Sequence, residues 1–354
     1  MRIYAGRTAR YCDGMRRRSF VQLGVAGMAS LGMGQLLQAK EESATSGTAK
    51  KATSAILIWL DGGPGHMDMY DMKPDAPVEY RGIWRPISTK VPGFDITELF
   101  PKQAKVTDKF SMVRSLHHDT GDHFAGGHRM LTTKNMGVSG GNKQGRFPSL
   151  GAIVAHQRRH LTTSVPPYVS VPVASSIGLS PGYFGGDFLG AHYNPFQTKG
   201  DPNSDKFKVQ NLELASGMTV DRLDDRKDLV NQLDRISRDS ESTGLFTAMD
   251  RFDQQAFNFV AGEQARQAFD LSREDDKIRD LYGRHGWGQS TLLARRLVEA
   301  GASFVTVHCG GWDNHWNLQS AMERYLPKVD DLVSGLITDL DQRGMLDSTM
   351  GILC

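Results

Sequence analysis

Cysteine is nearly absent. The chain has only 3, at Cys12, Cys309 and Cys354, and no Cys-x-x-Cys spacing, so a disulfide framework and a cysteine zinc site are both excluded. An excess of one charge is also missing: 42 Lys and Arg against 40 Asp and Glu leave a formal net charge of +2. A nucleic-acid binder would carry a basic stripe. There is no long unbroken apolar run either. The nearest, Leu23 to Leu37, contains Gly24, Gly27, Gly32, Gly34 and Gln35 and is too broken for a permanent membrane span.

What precedes that run is informative. Arg16-Arg17-Arg18-Ser19-Phe20-Val21-Gln22 is basic, and a short apolar stretch follows it, which is the grammar of an export signal. The paired arginines before Ser-Phe-Val match the twin-arginine export motif. Residues 1–39 are therefore read as a leader with Met15 as its true start, and the chain as a partner of the twin-arginine machinery, bound for the periplasm or beyond. The competing reading is a basic amphipathic start that is retained. Residues 40–54 are polar and read as a flexible linker.

The folded part opens with Ala55-Ile56-Leu57-Ile58-Trp59-Leu60. Continuous apolarity suits a strand buried on both faces of a parallel sheet. It ends at Asp61-Gly62-Gly63-Pro64-Gly65. Residues 70–100 read as a long ordered loop, Leu99 to Asp108 as a helix, and Phe110 to Ser115 as a second strand. Four of the 11 histidines follow within the span from His117 to His128. Pro148 to His160 reads as a helix and Tyr168 to Val173 as a strand. Residues 174–285 read as an excursion of loop and helix, with helical spacing over Val220 to Ser237 and Gly244 to Phe269. A helix from Trp287 to Ala300 stops at Gly301 and feeds the strand Phe304 to Val307. Two glycines then release the chain into Trp312-Asp313-Asn314-His315. Leu318 to Arg343 is an amphipathic helix, and Leu346 to Cys354 begins another strand. The domain, 55–354, is read as an α/β fold that is C-terminally incomplete.

Asp and His residues thus gather at three expected strand ends, and in a parallel sheet those ends share one edge. A mixed Asp/His set there is how a one- or two-metal hydrolase is built. Two metal-free alternatives are weaker. Gly137-Val138-Ser139-Gly140-Gly141 matches Gly-x-Ser-x-Gly but lacks the strand–turn–helix context of a nucleophile elbow. Asp61-Gly-Gly-Pro-Gly lacks the third glycine of a dinucleotide fingerprint.

The leader, the stretch Trp59 to Pro77, the segment from Val113-Arg-Ser-Leu-His-His118 to His128-Arg-Met-Leu-Thr-Thr133, and Gly310-Gly-Trp-Asp-Asn-His315 together resemble domain-of-unknown-function family 1501. The resemblance spans roughly residues 15–354. That family is an exported bacterial one, placed in the alkaline-phosphatase and sulfatase-like superfamily. The resemblance implies a mostly parallel central sheet flanked by helices. It also implies a divalent metal (zinc, calcium, manganese or iron) on Asp61, Asp313, His315 and His118, with His123 and His128 in proton transfer. The implied substrates are phosphate or sulfate esters, with an anionic ester or a polysaccharide as the partner. The superfamily's nucleophile precedes a helix start that Met130-Leu131-Thr132-Thr133 resembles. Counting back sets that nucleophile at His123, where no Ser, Thr or Cys stands; Thr120, Thr132 and Thr133 are weak substitutes. The alternative is a non-catalytic envelope or polysaccharide-binding protein, or an inactive fragment, that keeps the fold.

Overall fold

The run from Ile56 to Leu60 is buried at every position. The computed structural model describes residues 54–134, 147–161, 163–209 and 262–354. Its elements in chain order are β1 (Ser54–Leu60), β2 (Pro86–Ile87), β3 (Ile96–Thr97), α1 (His123–Thr132), α2 (Leu150–Gln157), β4 (Tyr168–Val171), β5 (Phe196–Gln197), α3 (Glu263–Phe269), α4 (Asp276–Leu281), α5 (Gly286–Glu299), β6 (Phe304–Cys309), α6 (Leu318–Gln342) and β7 (Thr349–Leu353). The leader, Gly137 to Gly141, Val220 to Ser237 and Phe246, Phe252, Phe257 and Phe259 lie outside the described residues. Among the described residues no helix is long and apolar enough to cross a membrane.

The central sheet has five strands in the order β5-β4-β6-β1-β7. Every pairing in it is parallel, as the apolar runs of β1 and β6 predict. Side chains alternate across it. Ile56, Ile58 and Leu60 of β1, with Val305 and Val307 of β6, join Leu292, Leu293 and Leu297 of α5 and Leu326 of α6. Leu57 and Trp59 point the other way, into a cluster with Phe124 of α1, Ala152 of α2, Tyr168 and Tyr183. An apolar layer on each face explains why a strand with no polar alternation is stable.

Behind α5, a charged network is buried. The Arg295 side chain is 1% exposed and pairs with Glu274 at 2.6 Å, Asp339 at 2.8 Å and Glu299 at 2.6 Å. Tyr282 donates to Asp339 at 2.9 Å. These contacts lock α5 to α6 and to the turn before α4.

Three local expectations need correction. Leu99 to Asp108 forms two single 3-10 turns, Gln103–Lys105 and Thr107–Lys109, in place of a helix; the Thr107 hydroxyl bonds back to the Ala104 carbonyl at 3.3 Å and competes with the helical ladder. Phe110 to Ser115 is not a strand. It lies outside the five-stranded sheet, and Val113 is 68% exposed. Finally, Met130 to Thr133 ends a helix in place of starting one. Thr133 caps α1 in the left-handed region with φ of 62°, and the start lies at Asp122, whose carboxylate accepts Ala125 N–H at 2.8 Å.

Candidate functional site

Parallel strands deliver their carboxyl ends to one edge, and the chain's acidic and imidazole groups collect there. Asp61 follows β1 directly and is 3% exposed. Its Oδ1 accepts from Ser176 Oγ at 2.8 Å and Trp59 Nε1 at 3.4 Å. Its Oδ2 accepts from Ile177 N–H at 2.6 Å and faces His308 Nε2 at 3.1 Å. Burial pushes the Asp61 carboxyl up, but His308, Ile177 N–H and Ser176 together outweigh it and hold the group below its ordinary value. Asp61 is therefore a charged, donor-saturated carboxylate. Its backbone is equally occupied: its carbonyl accepts Trp312 N–H at 3.1 Å and its amide donates to Cys309 at 2.9 Å.

His308 Nε2 also lies 3.4 Å from Ser175 Oγ. The residue types suggest a serine–histidine–aspartate relay, but the geometry denies it. A relay uses one ring nitrogen for each partner. Here the same nitrogen meets both, and an Nε2–H that donates to Asp61 cannot also accept the serine proton.

A second centre forms at Asp313. Its Oδ1 lies 3.2 Å from His123 Nε2 and 2.7 Å from His315 Nε2. His123 is the first residue of α1, and Asp313 follows Trp312 at the end of β6's loop. Trp312 is buried, stacked on Trp287 with centroids 5.5 Å apart and tilted on Tyr325 at 5.3 Å. The loop is also held from below: a Cβ on Gly62, at φ of +113°, would stand 2.4 Å from Asp313 N. Only glycine allows that approach of two backbones.

A cleft of about 640 Å³ opens beside these groups, and Asp61, His66, His117, His118, Asp122 and His123 supply much of its polar wall. His118 is exposed; its Nδ1 accepts Thr120 N–H at 3.4 Å, and its ring lies against α1, where Gly126 leaves room. His128 is apart from the cleft: fully buried, with Nδ1–H donating to the Lys134 carbonyl at 2.9 Å and its ring edge-on to Phe147 and Tyr183.

Of the expected site residues, the structure thus brings Asp313, His315 and His123 together. It gives Asp61 to His308, Ser176 and Ile177, sets His118 in the cleft wall, and sinks His128 into the core. Ser175 and Ser176 carry no motif; composition marks the stretch from Ala174 to Asn211 as an excursion over the sheet edge, but nothing in it singles out the serine, 115 residues from Asp61, that closes on the carboxylate.

A family model described as protein of unknown function (DUF1501) matches residues 52–354. The chain belongs to this family. No curated protein and no solved structure matches it.

The DUF1501 site can be tested for a divalent metal. Among the described residues no three His, Cys, Asp or Glu side chains stand ready-arranged around a metal position; two imidazoles meet one carboxylate oxygen instead. The donor types suit zinc, iron or manganese. Ligand atoms of a tetrahedral zinc site lie roughly 3.3 Å apart, given Zn–N near 2.0–2.1 Å. The Asp313–His123 contact of 3.2 Å spans that edge, and the Asp313–His315 contact of 2.7 Å would have to open. Asp61 does not suit the role, because protein donors occupy both its oxygens.

Proposed function

We propose that this DUF1501 chain is an exported, metal-dependent hydrolase of phosphate or sulfate esters, with an alkaline-phosphatase-like arrangement of its parallel sheet. The observation that carries the reading is the meeting of His123 and His315 on one Asp313 oxygen at the carboxyl edge of the sheet. Asp313, His123 and His315 are the donors for the cation. When bound, a divalent cation supplies Lewis-acid charge against the negative charge that develops on the ester. The remaining work falls to the chain itself. Asp61 fixes the three loops around the donors through its carboxylate and carbonyl. His118 lines the cleft and is assigned proton transfer to the leaving alcohol. Export by the twin-arginine route to the periplasm or beyond rests on Arg16-Arg17-Arg18 and the apolar run after them.

A second reading, a non-catalytic binding protein of the cell envelope, draws on one feature: the imidazole that opens α1, His123, is already engaged with Asp313. Elemental analysis of the full chain beside Asp313→Asn and His315→Gln separates the two. About one equivalent of metal, lost in both variants along with ester hydrolysis, supports the hydrolase. A folded, metal-free protein without hydrolysis supports the binder.

A further inference from the structure

The walls of the cleft are of a different character from its polar end. Trp59, Leu60, Met69, Tyr70, Leu116 and Met130 line it. Two of these have polar tips, but both tips are engaged elsewhere. Tyr70 donates its hydroxyl to Gln103 at 2.6 Å, and Trp59 directs Nε1 to Asp61 at 3.4 Å. Both therefore present carbon to the cleft. Leu116 is 64% exposed at the mouth, an apolar side chain set between a serine and two histidines. No Lys or Arg is among the described residues that line the cleft.

We infer that the ligand of this cleft is an ester of an apolar alcohol: one anionic head on a hydroxyl-poor body. The inference rests on the hydrolase reading for its word "ester" and on the cleft walls for the rest. A sugar chain would set its hydroxyls against Met, Leu and ring carbon, and each unpaired hydroxyl carries a desolvation penalty. Among the described residues a polyanion would find no Lys or Arg in the cleft to add to the cation proposed at His123, and it would meet Asp61 and Asp122 as well. An apolar body gains from the same surfaces. A volume of about 640 Å³ lies within the range of clefts that take ligands of drug-like size, so the alcohol is larger than a single small ring. The head lies toward His118 and His123, and the body runs along Met130 and Leu116.

The test uses two probes with the same doubly ionisable phosphorus head, octylphosphonate and glucose 6-phosphate, titrated calorimetrically into the full chain. Octylphosphonate is expected to bind at least about tenfold more tightly, as burial of a few methylenes requires. Leu116→Ser and Met130→Gln should each weaken octylphosphonate several-fold and leave glucose 6-phosphate unchanged. Leu116 is exposed, so its variant tests the wall without risk to the core. Equal or tighter binding of the sugar phosphate, no binding of either probe, or octylphosphonate binding that neither variant alters overturns the inference. The hydrolase reading fails separately. A metal-free chain that still prefers octylphosphonate keeps the ligand class and loses the enzyme, and a metal-loaded hydrolase that prefers the sugar phosphate does the reverse.

Discussion

Asp61 Oδ2 lies 3.1 Å from His308 Nε2, across two adjacent parallel strands. Asp61 is buried and His308 partly so, and the serine hydroxyl and amide that complete the carboxylate's shell come from a segment more than a hundred residues away. Replacing Asp61 with Asn leaves one oxygen where two were and turns an amide N–H₂ toward existing donors. The expected loss in urea denaturation is about 2–4 kcal/mol at neutral pH. Because the folded carboxyl is held below 3.8, its contribution is present above that value and lost as pH falls through the depressed folded pKa. The gap between wild type and Asp61→Asn should be flat above pH ~4 and shrink below it.

Gly62 and Gly63 are both left-handed, at φ of +113° and +81°, but only Gly62 faces a neighbour, with a Cβ falling 2.4 Å from Asp313 N. Gly62→Ala should cost about 3 kcal/mol or more, because two backbones must part. Gly63→Ala should cost about 1 kcal/mol, the strain of the φ alone. Equal losses for the two in denaturant titrations would refute the close approach of these loops.

His285 caps α5, its Nδ1 accepting Gly288 N–H at 3.1 Å. Burial pushes its pKa down to about 4, helped by Lys328 and opposed by Asp331. The unfolded chain therefore takes up the proton first. Stability should be full above pH 6.5, and about 3 kcal/mol should be lost as pH falls from there toward 4. His285→Ser keeps a capping oxygen and should flatten the curve across that window, as read by denaturant midpoints at stepped pH.

Arg295 stands between Glu274 and Asp339, with its side chain 1% exposed. Arg295→Ala should cost about 2–3 kcal/mol, because it removes the most deeply buried cation of the network and leaves Glu274 to Arg296 and Arg343, and Asp339 to Arg343 and Tyr282. Lys102→Ala removes an ion pair to Asp331 that is open to solvent and should cost about 1 kcal/mol or less. Added salt should shift the Lys102 effect and leave the Arg295 effect nearly unchanged.

How far these relationships could be read from the residues depended on their range. The β1 and β6 strands announce themselves, because a strand covered on both faces must be apolar throughout. Asp61, Asp313 and His315 could be set at the sheet edge by counting on from those runs. The histidine cluster was attached to the wrong kind of element. Phe110 to Ser115 has strand composition, but composition does not reveal whether a segment pairs with the sheet, and this one does not. α1 runs through the Gly126-Gly127 pair, although glycine is a poor helix former. A side chain at Gly127 would meet the Tyr183 hydroxyl at 2.8 Å, so tertiary packing requires what local propensity disfavours. The engagement of Asp61 with Ser176 and Ile177 left no trace in the sequence. One of those donors is a backbone amide, which every residue but proline possesses.

Because one carboxylate and one peptide unit fasten the loops after β1, β4 and β6, those loops do not form a modular set. A loop grafted from another protein would have to bring an amide or hydroxyl to the same oxygen, or leave a charge stranded beneath it. Variation at this edge is thereby channelled outward, to His66, His117 and Leu116 on the rim, where a side chain can change without disturbing its neighbours' register.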